Sequence, residues 1–395
     1  MRILLPLLAA LATPAPVVLA AEPAPAPGLE ETLVVTGSRI ESPPEAIPAH
    51  VTIIDRATIE ARQPQSTLDL LRSVAGLQVS QYGGRGGITS VFIRGAEPNF
   101  TVVLIDGVQV NDPNNSRGGS FDFSTLNVAE IERIEIVRGA QSSLYGSDAL
   151  AGVIQIITRK PEGTARVSID AEAGEDEFYR GALHLAGALG ESTQASFTAS
   201  AADDGNAIDG NSFENRTLSG RLSSTPTQAL SLALAARYAD SEATAFPEDS
   251  GGPDLAVLRA LDSRDQTQLS LNGTAGYQAS GRVRLSAQLG FVNHDEKTAS
   301  PGIAPGVRDG VPPNRSDSEL ERFSAALSAT AQLSASADAV VGVDYEDESG
   351  SLDGTLELAP GFALPTDFNL DRHILGLFVE LRAAPTDALA LSASV

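Results

Sequence analysis

Two periodicities divide this chain. Up to about residue 161 the apolar positions fall in short mixed runs. Val51–Asp55 reads as a strand, Ser66–Ser73 places Leu68, Leu70 and Leu71 on one helical face, and Val102–Ile105 reads as a buried strand closed by the turn pair Asp106-Gly107. Ile131, Ile134, Ile136 and Val137 predict another strand, and Val153–Thr158 one more. Strands interspersed with helices predict a compact α/β domain over residues 38–161.

From residue 164 to 395 the period becomes two and stays there. In Arg282–Phe291 the odd positions are apolar and the even ones polar or Gly, and Gln268–Tyr277 repeats the alternation. The sets Val341/Val343/Tyr345, Leu375/Leu377/Val379/Leu381 and Leu389/Leu391/Ala393/Val395 continue it. Roughly eleven such segments of spanning length are expected, one face toward lipid and the other wet. Short connections at 189–193, 225–228, 279–281, 335–338 and 384–387 alternate with long acidic ones near 203–214, 240–263, 294–318 and 349–371. Such alternation fits an antiparallel transmembrane β-barrel better than a soluble sandwich. An odd strand count that stops inside an alternating run leads us to expect an incomplete barrel, because antiparallel closure needs an even number.

The N-terminus adds a compartment. Met1-Arg2, an apolar stretch from Ile3 to Leu11 and the small-residue end Val18-Leu19-Ala20 predict a signal peptide over residues 1–20. Residues 21–37 follow as a Pro/Ala-rich, semi-extended linker. No Cys is present, so neither disulfides nor thiol chemistry is available. With 51 acids against 27 bases and a net charge of −24, the chain lacks the basic face that nucleic acid requires. Mean hydropathy of −0.02 is what alternating strands give.

Several motifs then converge. Glu31-Thr32-Leu33-Val34-Val35 is a β-branched stretch beside a Pro-rich tether. Farther on stand Ser90-Val91-Phe92-Ile93-Arg94-Gly95, Val102–Gly107, Ile131–Gly139 and Ser143–Ile154. Together they resemble the TonB-dependent outer-membrane receptors, with residues 31–35 as the TonB box and 38–161 as the plug domain. The wording is most similar to that of cobalamin (vitamin B12) receptors, with Ala151 where a second Gly is usual and Gln155 where Asn is usual. The resemblance implies active uptake of a scarce large nutrient, cobalamin or a ferric siderophore, across the outer membrane. It also implies energy from the inner-membrane TonB protein, and a barrel of twenty-two strands of which about half lies in this chain. An exposed extended peptide can add as an edge strand to a partner sheet, which suits the box to that role.

The resemblance places the plug's outward apex at Gly83–Gly87 and Gly107–Phe121. Arg85, Asn111, Asp112, Asn114, Asn115, Ser116 and Arg117 are therefore the candidate substrate contacts, rich in donors and acceptors for a large polar ligand. Arg94, Arg133 and Arg138 are candidates for ion pairs within the plug or to wall acids such as Asp344 or Glu380. Asp203, Asp209 and Asp240 are candidate calcium ligands, since hard oxygens clustered on adjacent loops suit that ion. No other cofactor is required. His50, His184, His294 and His373 are scattered, with no zinc or hydrolase template, so no enzyme is expected. The rival reading is a passive porin or adhesin whose inner domain merely binds.

Overall fold

The computed structural model describes residues 47, 49–81, 86–115, 119–205, 207–208, 210–247, 259–304, 310–386 and 389–394. The signal peptide, the linker, the box at Glu31–Val35, and Arg85, Ser116, Arg117 and Asp209 lie outside them.

The first domain is built around a five-stranded mixed sheet. Its strands are His50–Asp55 (β1), Thr101–Ile105 (β4), Val108–Gln109 (β5), Ile131–Arg138 (β6) and Gly152–Thr158 (β7), lying side by side in the order β1-β6-β7-β4-β5. Only β4 and β7 run parallel. Both are buried along their whole length, which is why they read as continuous apolar runs rather than as alternating ones. Val103, Ile105, Ile154 and Ile156 face the larger core, while Val102, Leu104 and Val153 pack with Ala149 on the other side.

Two short helices cover the larger core. Arg56–Arg62 (α1) starts at Asp55, which accepts a bond from the Thr58 amide at 2.8 Å, and stops at Gln63 in the left-handed region. Thr67–Arg72 (α2) is opened by the reciprocal cap Ser66/Asp69 and buries Leu68, Leu70 and Leu71, the face that the periodicity marked. A separate hairpin joins Leu77–Gln81 (β2) to Thr89–Ile93 (β3), and a short helix, α3, spans Ser142–Tyr145.

The second part is one antiparallel sheet that forms a wall around the first. Its strands are β8 (Arg166–Ala173), β9 (Tyr179–Ala188), β10 (Thr193–Asp203), β11 (Ser212–Thr227), β12 (Leu230–Ala245) and β13 (Asp262–Ser280). They continue as β14 (Val283–Ser300), β15 (Asn314–Ser334), β16 (Ala337–Ala359), β18 (Phe368–Thr386) and β19 (Leu389–Ser394), with β17 (Phe362–Pro365) as a short spur on β16. Eleven strands follow one another in sequence order, and the two outermost, β8 and β19, do not pair with each other. The described sheet is therefore open.

Alternation sorts the two faces as expected. On β12 the even positions Leu232, Leu234 and Tyr238 are exposed, while Ala235, Arg237, Ala239 and Ser241 are buried against the first domain. On β13 the inner set is Gln266, Gln268, Ser270 and Asn272. The outer apolar set on β12 runs from Leu230 to Tyr238, nine residues, which at barrel tilt cover roughly 20 Å, close to a bilayer's apolar band.

Two expectations need correction. Strands β11 to β16 are 16–23 residues long, not spanning length alone, so each continues past the apolar band on the side of the long loops. Most of 349–371 is consequently strand, in β16, β17 and the start of β18, and Asp240 lies inside β12 rather than in a loop. The loops were overestimated because charged residues at the outward positions of a projecting strand look like a loop when read without register. Two of the short turns lie one to three residues later than expected, at 228–229 and 281–282, and that at 335–336 falls within the expected 335–338. At each of them the strand entering the turn carries one extra residue before pairing resumes.

Candidate plug apex and its clamp to the wall

On the side of the long loops a cavity of about 1340 Å³ opens between the apex of the first domain and the wall. Gly86, Gly87, Pro113, Asn114 and Asn115 line its floor, and Asp204, Phe213, Asp262, Arg264, Glu296 and Arg315 are among its wall residues. Gly86 sits so close to Ala243 and Phe213 that an added Cβ would meet Phe213 Cδ2 at 2.6 Å, so this part of the glycine-rich loop is built for close approach to the wall.

The expected ligand contacts divide. Asn111 is structural: its Oδ1 accepts from the Val103 amide at 2.7 Å and its Nδ2 donates to the carbonyls of Thr101 (2.9 Å) and Gly119 (2.7 Å). Asp112 accepts from the Asn114 amide at 2.8 Å and is buried at 7 % exposure, with His294 Nε2 3.8 Å away. Burial raises the Asp112 carboxyl above its usual range, against the opposing pull of His294. Asn114 donates to the wall carbonyl of Glu319 at 2.9 Å. Of the described set, Asn114 and Asn115 border the large cavity, whereas Asn111 and Asp112 hold the loop that carries them.

The ion pairs run opposite to the expected sense, with the wall supplying most of the cations. Arg237 on β12 meets both oxygens of Glu130 at 2.9 and 3.0 Å, donates to the Thr125 carbonyl at 2.6 Å and to Gln268 Oε1 at 2.9 Å, all fully buried. Arg221 on β11 meets Asp106 at 3.0 Å, and Arg264 on β13 is bonded to both Asp122 and Glu296. Arg322 on β15 pairs with Glu348 and donates to the carbonyls of Gln109 and Asn111, each at 3.0 Å. Asp122 shows the outcome: burial alone would raise its carboxyl, but Arg264 and the hydroxyl and amide donors of Thr89 and Ser124 outweigh it and hold it below the usual range.

Of the arginines singled out in the sequence, one makes the expected kind of pair within the plug. Arg133 pairs with Glu135 inside the domain at 2.8 Å, and Arg138 donates to the Ala75 carbonyl and, at 2.8 Å, to Thr52 Oγ1. Arg94 is exposed, with φ of 53°. Sequence reading missed the wall arginines, although parity could have exposed them: Arg221, Arg237 and Arg322 all occupy inward positions of their strands.

Of the candidate calcium ligands, the two described, Asp203 and Asp240, lie on strands that are not neighbours. Asp203 accepts from the Gly205 amide at 2.8 Å and is in register with Tyr179. Asp240 has the outward parity of Tyr238 and lies 4.0 Å from the exposed Arg216. Among the described residues no group of three or more His, Asp or Glu side chains is placed to hold a metal ion.

A compact mixed-sheet domain clamped inside an antiparallel wall, with an apolar outer band, is the build of an outer-membrane plug-and-barrel receptor. Residues 43–153 match the family model described as "TonB-dependent Receptor Plug Domain", and the wall shares the fold of a receptor barrel. Among curated relatives, the "Vitamin B12 transporter BtuB" of Vibrio vulnificus (strain CMCP6) is 43% identical over 146 residues, 37% of this chain and 23% of the relative. The protein of the same name from Photobacterium profundum is 38% identical over 162 residues, 41% of this chain and 26% of the relative. The ferripyoverdine receptor of the outer membrane of Pseudomonas aeruginosa, a solved structure, aligns with a TM-score of 0.77 at 19% identity, covering 92% of this chain and 53% of that one. The matched regions thus span about a quarter of the curated relatives and about half of the solved receptor.

Proposed function

We propose that this chain belongs to a TonB-dependent transporter that binds cobalamin at the plug apex and carries it inward when TonB pulls the box. The observation that carries the reading is the 43% identity with a vitamin B12 transporter over 146 residues. The apical cavity supports it, being larger than most small-molecule sites and lined by polar residues of both plug and wall, which suits a large polar ligand. A ferric siderophore is the second reading, because the fold is shared with a ferripyoverdine receptor, and a shared fold leaves the ligand open. Titrating the receptor in outer-membrane preparations with cobalamin and with a panel of ferric siderophores separates the two. Saturable binding of cobalamin alone is the expected result; binding of a siderophore and not of cobalamin overturns the assignment.

A further inference from the structure

Three voids lie in line along the inner face of β13 and β14. Arg264 and Glu296 border the apical cavity. The same two residues, with Gln266, Gln268 and His294, border a small void of about 40 Å³ directly below. Farther toward the short turns, Asn272, Thr274, Ser286 and Gln288 border a third cavity of about 940 Å³. Only one short stretch of these strands, around Ser270, Gly290 and Val292, lines none of them.

That stretch is filled by a single turn of the plug. Asp106 and Gly107 form the tight turn between β4 and β5, both with positive φ (50° and 88°), and Val108 follows. Asn272 donates to the Asp106 carbonyl, and Gln288 Nε2 donates to the Gly107 carbonyl at 3.0 Å. Val108 lies against Gly290, where an added Cβ would meet its two methyl carbons at 3.0 and 3.1 Å. Two amide side chains, the Arg221–Asp106 ion pair, and Val108 packed with the fully buried Val292 thus separate the upper voids from the lower one. The lower cavity is lined by Ser, Thr, Asn and Gln with several arginines, beside apolar residues such as Leu104, Ile157 and Phe378, a mixed surface that a large polar ligand could pass.

We propose that the Asp106–Gly107–Val108 turn is a stopper, latched to the wall by Asn272, Gln288 and Arg221, and that ligand passes along β13–β14 when the turn leaves its seat. This rests on the transport reading above. The chain has no cysteine, so a disulfide placed across the seam is unambiguous. Val108→Cys and Gly290→Cys are combined with Ser324→Ala, which removes the hydroxyl nearest to the new side chain. In outer membranes, the oxidised pair is expected to bind cobalamin within twofold of the reduced form, and to import it at least tenfold more slowly until a reductant is added. Import by the oxidised pair at the reduced rate overturns the proposal. Should the pair fail to assemble, Asn272→Ala, Gln288→Ala and Arg221→Ala together decide: loss of all three latches is expected to sensitise cells at least fourfold to vancomycin, and unchanged sensitivity overturns the stopper. If neither the parent nor the reduced pair handles cobalamin, the ligand assignment falls instead, and the vancomycin arm still reports on the turn.

Discussion

Arg237 illustrates how much one side chain decides here. It sits on a strand whose other inward residues are Ala and Ser, yet it is 2 % exposed and spends its donors on Glu130, Gln268 and the Thr125 carbonyl. Glu130 is also the reciprocal partner of the Asn127 amide, so the pair is hydrogen-bonded on both sides. Truncating one member of such a buried pair strands the other charge, at a cost of about 3–5 kcal/mol. Arg237→Ala should therefore loosen the plug, seen as faster proteolysis of residues 101–130 in membrane-embedded protein. Arg237→Ala combined with Glu130→Leu should recover much of the protection, because no charge is then left unpaired. Equal cleavage of the parent and the Arg237→Ala protein would remove the clamp from the account.

At the scale of elements, the strands carry their own instructions. Period-two runs such as Val283–Phe291 set strand, face and direction together, because a one-residue slip would turn every apolar side chain inward. Where strands project past the bilayer the outward positions become charged, and Asp240 and Glu242 then read as loop although the backbone continues as β12. The box is an element of a different kind, lying outside the described residues. Edge addition to a partner sheet needs the backbone donors of an extended peptide, and Pro removes one. Leu33→Pro or Val34→Pro is expected to cut energised uptake at least tenfold while ligand binding at the cell surface stays unchanged. Uptake at the parental rate by either variant would contradict active transport.

The molecule as a whole is held together by acids of the plug inside a ring of wall arginines, and this makes its assembly pH-dependent. The Asp122 carboxyl is held below its usual range in the folded state, so its contribution is fully present above the unfolded value of about 3.9 and is lost as pH falls through the lower folded value. Asp112, raised by burial, acts in the opposite sense: its destabilisation is relieved by protonation and grows as pH rises through its folded value. Protease sensitivity of the plug should accordingly increase as pH falls below about 4, and Asp122→Asn should flatten that acid limb. Superimposable profiles for the two proteins would show that the Arg264 contact does not control attachment.

Sequence by itself determined what repeats along the chain or stays local. Helix α2 was legible because Leu68, Leu70 and Leu71 share a face and Ser66 and Asp69 cap it; the wall was legible because alternation is a property of each strand alone. Asn111, Asp112, Asn114 and Asn115 could be read as one polar apex, but not divided into residues that face the cavity and residues that fasten the loop. That division depends on which carbonyls lie near each amide, and those belong to Thr101, Gly119 and Glu319, the last 205 positions from its partner Asn114. The arginines followed the same rule. Parity sends Arg221, Arg237 and Arg322 inward, yet only the tertiary structure brings Asp106, Glu130 and the Gln109 and Asn111 carbonyls to meet them, because an ion pair is fixed by proximity in space and a strand's pattern specifies only a face.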